Sequence, residues 1–438
     1  MARRPHPRMA GRTVYAIHAL GATGAPATND DPTAAAPTAH RVSQLVDWVG
    51  HVADLGAGAV LLTPVFASTT HGYDTVDPFR LDQRLGGDDD LAGLVAACHD
   101  RDLLVLLDGV FNHVGRDFPR FVDVREHGRD SRWTDWFVLH FDADGPDGFG
   151  YEHFEGHDSL VALDHANPAV LDWAVGVACH WLEHGVDGWR LDAAYAVPTD
   201  FWAAFADRVR ERFPDVYLVG EVIHGDYAAF VDAAHLDSVT QYELHKSVWS
   251  ALNDVNLHEL AWNLRRHADF ARSFTPLVFL SNHDVTRLLT KLDDPEVVGH
   301  ALAVLFTVPG TPAVYYLDEL AAEGEKTDRP GGDDAVRPPL PADATPADDE
   351  QQRLRDLHRT LIAVRRARPW LDTAHLEVTE VTNGTLRVLL DGDDHAVELV
   401  LALDASVSST RGWHGIAGHG VGEPVHQVPA GHWAILER

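Results

Sequence analysis

Asp187-Gly188-Trp189-Arg190-Leu191-Asp192 is the stretch whose reading decides the fold. Trp189 and Leu191 alternate with Arg190 and Asp192, which is the two-residue period of a strand. The pattern predicts a helix over 169–183 before it, closed by the turn His184-Gly185, and another helix starting near Pro198-Thr199-Asp200. A strand held between two helices belongs to a βαβ repeat. Arg190 and Asp192, two residues apart at the strand's C-terminal end, point to the same side. The cation should keep the carboxylate ionised, which suits a nucleophile better than a proton donor. A structural ion pair fits this hexapeptide equally well, so the rest of the chain has to decide.

Outward from this stretch the same beat recurs. Strands are predicted at 13–18, 59–62, 103–107, 188–192, 217–221, 238–242, 277–281 and 313–316, and helices at 41–55, 91–101, 169–183, 200–212, 256–267, 295–306 and 351–367. Eight βα units read as an α/β fold of the (β/α)8 TIM-barrel type. A doubly wound open sheet is the alternative, but no Gly-rich phosphate fingerprint follows the first strand. Residues 66–87 read as a turn-rich loop and 321–350 as an irregular loop at the barrel mouth. The rhythm breaks over 114–164, where Trp133, Trp136, Phe137, Phe141, Tyr151 and Phe154 either form the core of a small insertion or line a cleft. From about Trp370 the alternation at 376–381, 386–390 and 396–403 predicts antiparallel strands. The expected organisation is a flexible tail over 1–12, a barrel over 13–113 and 165–368, an inserted subdomain over 114–164 and a C-terminal β-domain over 369–438.

Composition excludes several function classes. A formal net charge of -32 over 438 residues argues against nucleic acid or an anionic membrane as a partner. Cys98 and Cys179 lie inside helical patterns and read as packed thiols rather than a disulfide. The N-terminus, with Arg3, Arg4, Arg8 and Arg12, lacks the apolar run of a signal peptide. No apolar run approaches the roughly 18 residues of a membrane span. A soluble, cytoplasmic protein is expected, with a homodimer left open.

The chemistry-bearing residues stand at the predicted C-terminal ends of strands, where barrels of this type place their reactive groups. These are Asp108, Asn112 and His113 after strand three, Arg190 and Asp192 on strand four, Glu221 on strand five, and Asn282, His283 and Asp284 after strand seven. Tyr73 and Asp74 follow strand two. A second carboxylate from the strand beside Asp192 could lie about 5–5.5 Å from it, the spacing of a retaining glycosidase pair. Glu221 follows apolar Leu218 and Val219 and faces a like charge, which favours its protonated form. Asp192 as nucleophile and Glu221 as general acid/base is the consistent assignment.

Asp108-Gly-Val-Phe-Asn-His113, Gly188-Trp-Arg-Leu-Asp192, Gly220-Glu221 and Asn282-His283-Asp284 together resemble, in order and rough spacing, the four signature segments of the α-amylase family, glycoside hydrolase family 13. His71-Gly-Tyr-Asp74, Gly310-Thr-Pro-Ala-Val-Tyr-Tyr316 and Asp164-His-Ala-Asn-Pro168 extend the likeness. The resemblance implies a retaining hydrolase of α-glucosidic bonds in linear or cyclic maltooligosaccharides, similar to cyclomaltodextrinase- or neopullulanase-like members. Asp192 would form a covalent glucosyl intermediate, and Glu221 would protonate the leaving oxygen and then activate water. Asp284 would bind the 2- and 3-hydroxyls, Arg190 would fix Asp192, and His113 and His283 would bond sugar hydroxyls. Tyr73 would stack on the sugar, Asp108 would hold the network, and His224 is a further expected substrate contact. No metal is expected to be required, although Asn112 resembles a calcium ligand and calcium is left open. A transglucosylase, a glucosyl isomerase or an inactive glucan-binding protein on the same fold are the alternatives. The chain departs from the family at Ala193-Ala194-Tyr195-Ala196, where many members have Lys-His, and at Leu317, where Gly is usual before the acidic pair.

Overall fold

The computed structural model describes residues 6–33, 39–143, 145, 147–329, 331–392, 394–410 and 412–438. Eight parallel strands form the central sheet: β1 Val14–His18, β2 Ala59–Thr63, β3 Leu104–Gly109, β4 Gly188–Leu191, β5 Tyr217–Gly220, β6 Ser238–Val239, β7 Leu277–Phe279 and β8 Thr311–Tyr315. Their order is β6-β5-β4-β3-β2-β1-β8-β7. A parallel bridge between Thr240 and Leu277 joins the two edges, and Gln241 N donates to Leu277 O at 2.9 Å. The sheet thus closes into a TIM barrel.

Alternation along β4 decides which side chains face which way. Trp189 and Leu191 are fully buried outward, in the core between sheet and helices, where Trp189 lies 6.0 Å from both Phe66 and Phe111. Arg190 therefore points inward. Gly188 is required by its neighbour, because a Cβ there would lie 2.4 Å from Tyr217 O. The register pairs Arg190 with Asp108 on one side, and Leu191 with Gly220 on the other. Asp192 and Glu221 hence leave the barrel side by side, each one residue beyond a paired position.

The expected flexible tail is corrected over residues 6–12, while 1–5 lie outside the described residues. Met9 is buried with Val14, Leu104, Leu106, Tyr217 and Leu277 at the base of the barrel. Arg8 pairs with Asp187, Arg12 Nη1 donates to Gly58 O at 2.8 Å, and Gly11 N donates to Asp372 at 2.6 Å. A buried methionine and these polar ties together dock the segment.

Three further differences concern elements. The turn-rich 66–87 contains an antiparallel hairpin, Phe66–Ser68 with Thr75–Leu81. The sixth strand, read as 238–242, stops at Val239, and a helix spans Tyr242–Asn253. Thr240 and Tyr242 favour strands, but the Gln241 side chain accepts from Glu243 N and Leu244 N and so caps a helix instead. A short helix, Tyr227–Ala233, also went unread between β5 and β6.

The insertion consists of the helix Pro119–His127 and short strand pairs, His113–Gly115 with Leu160–Ala162 and Leu139–His140 with Gly150–Tyr151. After the helix Asp349–Arg366 comes a five-stranded antiparallel sheet in the order His375–Val381, Thr385–Gly392, His395–Ala402, His432–Glu437, His414–Gly418. It docks on the helix Val298–Thr307, where His300 bonds His432 O at 3.1 Å. Among the described residues, no helix is long and apolar enough to cross a membrane.

Candidate active site

One guanidinium organises the barrel mouth. Arg190 Nη1 donates to Asp108 Oδ1 at 2.7 Å and Oδ2 at 2.6 Å, and reaches Asp192 Oδ1 at 3.3 Å. Its Nη2 lies 2.7 Å from Glu221 Oε1. All four side chains are buried. Arg190 thus bonds Asp192, but the register also sets it beside Asp108 and its second nitrogen goes to Glu221, and the expectation that it keeps Asp192 ionised is corrected. Burial, then the charge of Glu221, push the Asp192 carboxyl well above the usual carboxylate range, and Arg190 only partly opposes them.

Glu221 is held at both oxygens. Oε2 accepts from Ala193 N at 2.9 Å, and Oε1 accepts from Tyr242 Oη–H at 2.9 Å. Ala193 has φ 46°, the left-handed region, rare for a residue with a Cβ. That torsion aims its amide at Glu221 immediately after Asp192. Tyr242 in turn accepts from Asn282 Nδ2 at 2.8 Å.

Strand seven supplies the opposite wall. Asp284 Oδ2 lies 2.8 Å from His283 Nε2, and Asp284 Oδ1 accepts from Arg337 Nη2 at 3.1 Å. Burial opposes ionisation of Asp284, but His283 and Arg337 outweigh it and hold the carboxyl well below the usual range. Tyr73 Oη–H donates to Asp108 Oδ2 at 3.1 Å and also contacts His283 Nε2, with the two rings stacked 5.5 Å apart. His113 lies 4.0 Å from Asp192 Oδ2, and burial pushes it down to about 3, so it is neutral. Its other nitrogen meets Asn112 Nδ2 at 3.0 Å. Asn112 thus orients His113. Among the described residues, no three His, Cys, Asp or Glu side chains gather as a metal site.

Tyr73, Asp108, His113, Arg190, Asp192, Glu221, His283 and Asp284 therefore converge. His224 lies exposed in the bend after β5, three residues past Glu221. Of the aromatic group in the insertion, Trp136, Phe137 and Tyr151 form the insertion's own core, Phe137 and Tyr151 packing on Phe121. Phe154 alone of that group reaches the site residues, stacking on His113 at 4.9 Å. Tyr195 donates to Glu155 Oε1 at 2.5 Å, tying the β4 turn to the insertion.

Sequence reasoning missed Tyr242, Arg337 and His18. Tyr242 was hidden by the strand reading of 238–242. Arg337 sits in the 321–350 loop with no periodicity to mark it. His18 ends β1 in buried, neutral form, its ring 6.0 Å from that of His283. The acidic pair after Leu317 is structural. Asp318 accepts from Arg287 at 2.8 Å, and Glu319 accepts from Tyr15 at 2.8 Å. Leu317 adopts φ 70°, a conformation that explains why glycine suits that position.

The sequence profile of the α-amylase catalytic domain matches residues 43–375. The chain belongs to the α-amylase family. A Bacillus sp cyclomaltodextrinase is 33% identical over 397 residues, covering 87% of this chain and 69% of that protein. An intracellular maltogenic amylase of Bacillus subtilis is 32% identical over 294 residues, covering 64% of this chain and 49% of that protein. The chain thus spans between about half and about two thirds of these α-amylase-family relatives. The ligand-free structure of a cyclic α-maltosyl-(1→6)-maltose hydrolase from Arthrobacter globiformis matches with a TM-score of 0.82 at 26% identity, covering 98% of this chain and 99% of that one. As a member of the α-amylase family the chain is an α-glucan hydrolase.

Proposed function

We propose that this α-amylase-family chain hydrolyses α-glucosidic bonds of linear or cyclic maltooligosaccharides with retention, through a glucosyl ester on Asp192. One observation carries the reading: Asp192 and Glu221 leave adjacent strands one residue past the Leu191–Gly220 pair and share the guanidinium of Arg190. The pair needs one proton between them. With a sugar seated between the two groups, Glu221 gives that proton to the leaving oxygen while the Asp192 carboxylate bonds the anomeric carbon. Glu221, now anionic and still held by Tyr242 and Ala193 N, takes a proton from water, which then breaks the ester.

The remaining residues act on the sugar itself. Asp284, kept ionised, accepts from ring hydroxyls and faces the positive charge that develops on the ring. His113 and His283 hydrogen-bond hydroxyls, and Tyr73 offers its face to the ring. Small cyclic oligosaccharides are favoured because a solved relative matched over 99% of its length is named for such a substrate.

The test is a product time course on maltotetraose, cyclodextrin, pullulan and a branched cyclic tetrasaccharide, with proton NMR of the first product. The α-anomer is expected. A β-anomer would mean inversion and a wider gap between the carboxyl groups. Products longer than the substrate would move the reading to transglucosylation.

A further inference from the structure

A cavity of about 370 Å3 opens where the helix Val298–Thr307 meets the C-terminal sheet, lined by Glu296, His300, His419, His432 and Trp433. None of the residues gathered around Arg190 lines it. The helix runs back from the mouth, where β7 delivers Asp284, to the start of β8 at the base. Its first turn, which carries His300, therefore lies on the mouth half of the barrel. Trp433 is fitted there by two glycines. A Cβ at Gly299 would come within 2.4 Å of the indole Nε1, and one at Gly418 within 2.7 Å of Cε3. Glycine inside a helix costs about 1 kcal/mol against alanine, so Gly299 is kept for the ring rather than for the helix. The indole still stays partly in solvent. His300 Nε2 donates to His432 O at 3.1 Å, and burial pushes His300 down to about 4, so the floor is uncharged. His432 Nδ1 meets Ala430 O at 3.0 Å, which leaves Nε2 for another partner, and its ring stands edge-on to that of His419 at 5.5 Å. Among the described residues, neither the Glu296 carboxylate nor the His419 ring has a hydrogen-bond partner.

The lining selects the class of ligand. No Arg or Lys lines the cavity, which argues against an anion. Among the described residues, no three His, Cys, Asp or Glu side chains gather as a metal site. What is left is a partly exposed aromatic ring beside imidazoles and one carboxylate, in a space at the lower end of the roughly 300–1,000 Å3 that small ligands occupy. Such a lining suits a sugar. We infer that the cavity is a second α-glucan site, outside the catalytic cleft, which takes one or two glucosyl units of a longer chain against Trp433 while Glu296 and His419 bond their hydroxyls. The inference rests on α-glucan as the substrate. A long chain held there meets the barrel mouth at a raised local concentration, whereas a chain too short to reach both places gains nothing.

Calorimetric titration of maltohexaose into the full chain carrying Asp192→Asn tests this, and should show two sites. Adding Trp433→Ala should weaken one of them about tenfold, the effect of an anchoring aromatic. Adding Glu296→Ala with His419→Ala should weaken the same site while leaving the indole packed. This pair decides the matter if melting temperature shows that Trp433→Ala does not fold. In the otherwise unaltered enzyme, Trp433→Ala should raise KM for soluble amylose about three- to tenfold and leave kcat/KM on maltotriose unchanged. A single site in the parent protein, or a second site that neither change weakens, overturns the inference. Wild-type hydrolysis is read separately. Turnover with only one binding site sinks the cavity and keeps the function. A second site lost with Trp433, but no turnover, keeps the cavity and sinks the function.

Discussion

At the base of the barrel Met9, Val14, Leu104, Tyr217 and Leu277 meet as an apolar plug, whereas at the mouth three carboxylates meet around Arg190. Both places are buried, and both are built by the same eight strands. The base gains from removing apolar surface from water. The mouth bears the cost of desolvating charges, and neither Asp108 nor Asp192 ionises at its ordinary value there. One end holds the fold together, and the other keeps reactive groups in an environment they would not choose.

This contrast can be broken or sharpened experimentally. The largest effect should come from Asp192→Asn, which should lower turnover of maltooligosaccharides by about 10⁴-fold or more. Its melting temperature should not fall, because it removes a carboxyl that the folded state disfavours. A variant with normal turnover would end the assignment. Met9→Ala should do the reverse, costing about 2–5 kcal/mol of stability in denaturant titration while turnover persists. Loss of activity in the still-folded variant would show that the two ends are coupled. Tyr242→Phe removes the hydroxyl bonded to Glu221 and should reduce kcat by roughly 10- to 100-fold, the worth of a hydrogen bond to a charged group. It should also move the pH–rate profile, which a merely structural tyrosine would not.

The smallest effect belongs to neither end. Burial keeps His245 and His267 neutral, pushed down to about 4. Their folded values lie below the unfolded value of about 6.5, so the unfolded chain takes up protons first. This contribution is whole above pH ~6.5 and is lost as pH falls toward 4. Melting temperature should drop through that window, and His267→Gln should make the slope shallower.

The sequence made the mouth more legible than the base. Asp108, Arg190, Asp192 and Glu221 stand at or near the C-terminal ends of short apolar strands, and Asp284 lies five residues past the seventh, so the strand pattern located both strand and site. Met9 stands alone among arginines and prolines, and no pattern foretold its docking. Tyr242 and Arg337 were unread for different reasons. A side-chain cap at Gln241 overrode local strand preference, and Arg337 reaches Asp284 through a loop whose course depends on tertiary contacts. The sequence also paired Arg190 with its near neighbour Asp192, whereas the stronger partners come from β3 and β5, which only the barrel register brings together.

The torsion at Ala193 has a consequence for anyone redesigning this enzyme. A single peptide plane links the residue bearing one reactive carboxyl to the donor that anchors the other, so the gap between them is written into the main chain. Side-chain replacement can change which hydroxyls the pocket prefers. Making room for a water molecule between the two acids, as inversion demands, would require redrawing that turn.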